Sequence, residues 1–352
     1  MKGNHRMAFL ASVFFLGILL SVTIYLIPDS LTVSASENDA PALSFNLAFR
    51  KDGGIGALVK YVDYKVFRHV DDETMIIGDE EWLFETVRED NGYEYLRDYV
   101  GGCAYTEEER LQIAQTVALR RQACEERGAE YLLVVIPNSM TVESDRLPAY
   151  LGSQSDNTRL GGLMALLEER REIAVLDLRQ VMADSAEGEP LFNNTEDSVN
   201  AYGAFAVYDA ILNEIFEADS SLTEHRLHRD EIRFYTHYTE GKSVARKAGI
   251  EHLVANRTVS LSENMADFYR MTEVTEHCVT TDMMEGMGDG RRVVIECSNE
   301  WDKIQLMPFF SNTFSTVVYE NSIGDGVSAL DYHNGSVLIQ VIHESELDLL
   351  LQ

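Results

Sequence analysis

Basic residues are scarce in this 352-residue chain: 29 Lys and Arg stand against 59 Asp and Glu, a formal net charge of −30. A surface of that sign repels polyanions, so nucleic acid and anionic lipid headgroups are poor partners for the bulk of the chain. The acid is spread along the sequence rather than gathered into a tail, the pattern of a solvated surface. Cysteine is sparse too. Cys103, Cys124, Cys278 and Cys297 contain no CxxC pair, and no histidine stands at metal-finger spacing from any of them. This argues against a metal site and implies no cofactor, while an exported domain would still allow the cysteines to pair as disulfides. Internal repeats and low-complexity tracts are absent. The run GMGDG, Gly286 to Gly290, neither follows a strand nor opens a helix, so it lacks the context of a phosphate loop.

Long uncharged runs are missing with one exception. Ala8 to Ile27 (AFLASVFFLGILLSVTIYLI) is twenty residues without a charge, preceded by Lys2, His5 and Arg6. At about 1.5 Å per helical residue it spans a bilayer core of about 30 Å. The positive flank places residues 1–7 in the cytoplasm and the bulk of the chain outside. The run is longer than a signal-peptide core and reads as a signal anchor, the alternative being cleavage near Val33-Ser34-Ala35. Residues 28–45 form a polar linker, and 46–352 form the exported domain.

Within that domain, Asn46 to Arg68 predicts one or two helices, and Met75 to Val87 predicts a hairpin turning at Gly78-Asp79. Thr106 with Glu109 is a capping box opening a helix that ends at Gly128. Glu130 to Pro137 (EYLLVVIP) and Ile173 to Leu178 read as buried strands, with a helix over Leu160 to Arg171 between them. Asn200 to Phe216 predicts a third helix. Residues 225–290 are weakly patterned apart from a short helix at KSVARKAGI. Arg291 to Ser298, Ser315 to Glu320 and Ser336 to Glu344 predict three further strands. Alternating helices and buried strands indicate an α/β fold with a central parallel sheet between helical layers.

GDEEWLF at Gly78 to Phe84 and LLVVIPNSMTVESDRLP at Leu132 to Pro148, behind the apolar opening, resemble the alginate O-acetyltransferase family of the AlgJ and AlgX type. The resemblance runs from about Val70 to the C-terminus. It implies a three-layer SGNH-hydrolase-like domain at the cell membrane. It also implies a role in O-acetylating a cell-surface polysaccharide or exopolysaccharide beside a membrane-bound O-acyltransferase. The family's Thr-Asp-x-His-Trp-Asn motif and Tyr-Gly-Ala helix start are framed here by Thr195, Asn200, Tyr202, Gly203 and Ala204. Within the frame Glu196 takes the Asp position, Ser198 the His position and Val199 the Trp position. The family's strand-end Gly-Asp-Ser reads Glu296-Cys297-Ser298.

By this resemblance Ser298 holds the nucleophile position, and the base is lost. A serine hydroxyl needs a proton acceptor, normally a His oriented by a carboxylate, and the Ser198 hydroxyl is too weakly basic to serve. Glu196 would act only if burial raised its pKa. The bland readings are a turn or cap serine at 298, a capping carboxylate at 196, and a buried apolar or disulfide-bonded Cys297. No motif places His225, His228, His237, His252, His277, His333 or His343; the last closes a strand. Trp82, Tyr93, Tyr95 and Tyr99 offer sugar-stacking rings, with core packing the stronger expectation for Trp82. Three functions stay open: a lapsed accessory component of polysaccharide O-acetylation, an active O-acetyltransferase with a non-standard base, and a carbohydrate- or partner-binding protein sharing only the fold.

Overall fold

The computed structural model describes residues 60–70, 73–170, 175–185, 189–216, 225–262, 269–275, 278–284, 288–320, 323–324, 326–330 and 336–352. The chain divides into two compact units, residues 1–71 and 72–352. In the first, the described residues are helical from Lys60 and end in a π-helical turn, Asp63–Phe67. The apolar run at 8–27 and the linker at 28–45 lie outside the described residues. Among the described residues no helix is long and apolar enough to cross a membrane.

The second unit opens with the expected hairpin. β1 (Met75–Ile77) and β2 (Leu83–Glu85) pair antiparallel around the Asp79–Glu81 turn. Trp82 and Phe84 stack at 5.6 Å in the core, which settles Trp82 as a packing residue. A short α1 (Tyr95–Tyr99) leads to α2 (Glu107–Glu125). Both halves of its capping box are present: the Thr106 hydroxyl accepts from the Glu109 N–H, and the Glu109 carboxylate accepts from the Thr106 N–H. Gly128, at φ 71°, lets the chain leave the helix and enter β3 (Glu130–Ile136). Next come α3 (Ser139–Val142), α4 (Arg159–Glu169), β4 (Val175–Asp177) and α5 (Arg179–Ser185). A small hairpin of β5 (Phe192–Asn193) and β6 (Glu196–Val199) then delivers the chain to α6 (Ala201–Phe216).

Residues 225–290 hold more structure than their pattern predicts. β7 (Phe234–Glu240) and β8 (Ala255–Leu261) form an antiparallel ribbon with α7 (Ser243–Lys247) in its connection. β9 (Tyr269–Val274) and β10 (Cys278–Met283) form another. β11 (Asp289–Cys297) follows, then α8 (Glu300–Ser311), β12 (Phe314–Glu320), α9 (Gly326–Ala329) and β13 (Val337–His343).

Among the described residues seven strands make the main sheet, in the order β4-β3-β13-β11-β12-β10-β9. The five from β4 to β12 are parallel, while β10 and β9 add antiparallel, so the sheet is mixed rather than wholly parallel. β4 is an edge strand and only half-buried, in contrast to the doubly buried strand its composition predicts. The inner strands are buried on both sides because successive residues serve opposite faces. Leu132, Val134, Ile339 and Ile295 face α6 and α8; Tyr131, Leu133, Leu338 and Val294 face α2 and α4. These are the three layers expected of the α/β fold.

Candidate functional site

The elements that carry the sequence-predicted site residues converge at the C-terminal ends of β11 and β13. The β5–β6 hairpin brings the 195–200 frame there, and its tip is held by buried side chains. Asn200 donates to the carbonyls of Pro190 and Phe192 and caps α6 by accepting from the N–H groups of Tyr202 and Gly203. Gly203 is required because the Leu191 carbonyl oxygen lies 2.2 Å from where a Cβ would stand. Thr195 is bonded to Asn256 and Lys242, which ties the hairpin to β8.

Inside this frame Ser198 is buried, accepts from the Asn193 side chain at 3.2 Å and is hydrogen-bonded to Glu196. Burial raises the Glu196 carboxyl above its ordinary pKa, with Lys242, Ser198 and Arg246 acting in the opposite sense. A glutamate and a serine are thus hydrogen-bonded to each other at the positions that the resemblance assigns to an aspartate and a histidine.

Ser298 continues the parallel ladder beyond β11. Its N–H donates to the Val341 carbonyl at 3.0 Å, and its hydroxyl accepts from the His343 N–H at 3.0 Å. Among the described residues no side-chain base is hydrogen-bonded to that hydroxyl. Asn299, not Ser298, caps α8, accepting from Trp301 and Asp302. The altered residues before the serine have structural work. Glu296 turns to the opposite face, where it accepts from the Gly324 and Gly326 N–H groups and from Gln340. Cys297 is a free, buried thiol whose pKa burial pushes well up, and the other three cysteines are free as well.

A polar cluster that the motif comparison missed occupies the end of β13. The His343 ring is wholly buried; its Nδ1 lies 3.0 Å from the Ser345 hydroxyl and its Nε2 3.9 Å from Asp197 Oδ2. Asp197 Oδ1 accepts from the Ser139 N–H. Arg88 donates to Ser345 and pairs with Glu346 at 2.6 Å. Asp302, from the first turn of α8, accepts from the Val199 N–H, and burial lifts its pKa to about 6 while His343 opposes that rise. Asp197 Oδ2, Asp302 Oδ2 and His343 Nε2 are buried without a hydrogen-bond partner. Among the described residues no group of His, Cys, Asp and Glu has metal-holding geometry. The sequence offered one clue to this cluster, a histidine closing a buried strand. The approach of Asp197 and Asp302 depends on long-range strand pairing.

The fold and site define an SGNH-hydrolase-like α/β domain. A family described as the SGNH hydrolase-like domain of the acetyltransferase AlgX matches residues 75–269, more than half of the chain, and the chain belongs to that family. The matched span includes the Thr195–Ala204 frame and stops before Ser298. No curated protein sequence matches the chain. Bacillus cereus PatB1, solved with a sulfonyl adduct, is 14% identical over 78% of this chain and 97% of its own, with a TM-score of 0.51. A DHHW family protein from Eubacterium siraeum is 9% identical over 80% and 94%, with a TM-score of 0.53. The O-acetyltransferase domain of Pseudomonas putida AlgJ is 13% identical over 79% and 92%, with a TM-score of 0.48. At these identities the likeness to PatB1 and to the DHHW family protein is one of fold alone.

Proposed function

We propose that this protein is an exported, membrane-anchored accessory component in the O-acetylation of a cell-surface polysaccharide or exopolysaccharide. In this reading it binds the polymer or a membrane-bound O-acyltransferase and does not itself transfer the acetyl group. One observation carries the reading: the Ser298 hydroxyl accepts from a backbone N–H and has no side-chain base bonded to it among the described residues. At the family's base position, the Ser198 hydroxyl is held between Asn193 and Glu196. Acyl transfer through serine needs that proton acceptor, and losing one member of a triad typically lowers the rate by several orders of magnitude.

The test is hydrolysis of 4-nitrophenyl acetate by wild type, Ser298→Ala, and a Glu196→Asp/Ser198→His double variant. Wild type and Ser298→Ala are expected at the buffer rate, with the double variant gaining a rate that disappears when Ser298→Ala is added. A wild-type rate abolished by Ser298→Ala overturns the reading.

A second reading, an active O-acetyltransferase, is favoured by His343, whose backbone N–H donates to the Ser298 hydroxyl and whose Nε2 lies 3.9 Å from Asp197 Oδ2. Its signature is a wild-type esterase rate lost equally in Ser298→Ala and His343→Gln.

A further inference from the structure

Trp301 stands in the first turn of α8, shortly beyond Ser298 in the chain. It is 57% exposed, while the other of the chain's two tryptophans, Trp82, is 4% exposed in the core. Indoles are ordinarily well buried, so a displayed one marks a contact surface. The display is built into the helix. The Asn299 side chain caps the turn, accepting from the Trp301 N–H at 2.9 Å, and the next two residues, Asp302 and Lys303, are buried. Ile304, 44% exposed, and Gln305 lie one turn on, at the spacings that share a face with Trp301.

The surroundings of the indole suit a sugar ring. A pyranose presents C–H groups on its face and hydroxyls around its edge, so it is held by an apolar plate with amide or carboxylate groups beside it. Ile304 extends the plate. Glu300 precedes the indole and is exposed, Gln305 follows it half-buried, and neither side chain is hydrogen-bonded among the described residues. Location points the same way. α8 springs from the carboxyl end of β11, and open α/β sheets bind their ligands at the carboxyl ends of the strands. The half-buried Ser298 and the 195–200 frame lie at that end, and Asp302 joins α8 to the frame through the Val199 N–H.

We propose that Trp301 is a saccharide platform on which one pyranose ring of the polymer stacks, its hydroxyls taken by Gln305 and Glu300, so that the polymer runs past Ser298. The inference rests on the accessory, polysaccharide-binding reading and assigns that reading a location.

The experiment titrates the full chain with the tetramers of glucose and of N-acetylglucosamine, followed by saturation-transfer NMR and by iodide quenching of tryptophan fluorescence. A tetramer is expected to saturate in the millimolar range or tighter. It should also shield the iodide-accessible emission, which belongs to Trp301 because Trp82 is buried. Trp301→Ala should weaken binding by about tenfold, and Trp301→Tyr, which keeps a ring, by less than about threefold. Both are surface changes and should leave the melting temperature where it is. Two results overturn the platform: no saturation by either tetramer up to about 10 mM, or equal affinity of wild type and Trp301→Ala. In the second case the sugar binds elsewhere, so the location is wrong and the accessory reading stands. The accessory reading itself fails separately, on an unchanged O-acetyl content of the polymer in cells lacking the protein.

Discussion

Glu344 is wholly buried at the end of β13, where its carboxylate accepts from the Asn138 N–H at 2.9 Å. Burial pushes its pKa from 4.5 to about 7; the Asn138 bond opposes this, Asp98 adds to it, and His343 and Arg179 oppose it. A carboxyl raised in this way holds its proton in the folded state at pH values where the unfolded chain has released it. Stability is therefore greatest below the unfolded pKa and declines as the pH rises through about 7. The difference between 4.5 and about 7, at roughly 1.4 kcal/mol per pH unit, makes that decline about 3 kcal/mol. Glu344→Gln keeps an acceptor oxygen for Asn138 and removes the titration. Any packing cost of the amide is the same at every pH. Urea unfolding of wild type and variant between about pH 5 and pH 8 should show the variant gaining on wild type with rising pH, by up to about 3 kcal/mol. A difference that stays flat within about 0.5 kcal/mol, or that moves the other way, refutes the assignment of the buried proton to Glu344.

Three other outcomes are expected. Gly203→Ala drives a methyl group into the Leu191 carbonyl, so thermal or urea unfolding should show a loss of about 2 kcal/mol or more, with the β5–β6 hairpin displaced. Thr106→Ala removes the cap of α2 and should cost about 1 kcal/mol by the same measurement, leaving any ligand affinity untouched. Thiol titration should find Cys124 and Cys297 protected until the protein is denatured, whereas the half-buried Cys103 and Cys278 react in the native state.

Local signals carried the sequence reading where the fold is local. The Thr106–Glu109 box, Gly128 and the apolar run into Ile136 are each set by neighbours within a few residues, and each appears where expected. The β7–β10 region was opaque because its ribbons are largely solvated: FYTHYTE is polar and mostly exposed, so the period-two apolar signal is absent. α8 escaped because Pro308 lies inside it, a residue that ordinarily argues against a helix interior. In the site, the readings of Ser298 and of the Glu196–Ser198 frame rest on residue order alone. The His343–Asp197–Asp302 cluster was not legible in that order, since those residues meet only when β13 inserts beside β11.

β13 lies between β3 and β11, at the middle of the sheet, although it is the last strand in sequence. Without it, the remaining strands divide into β4-β3 on one side and β11-β12-β10-β9 on the other, each with an unpaired parallel edge. A chain that appears from its N-terminus onward must keep both edges from pairing with other chains until residues 337–343 are available. The same strand supplies the His343 N–H to Ser298 and the approach to Asp197. Completion of the sheet and assembly of the site therefore depend on the same strand, and a chain in which β13 is displaced has neither.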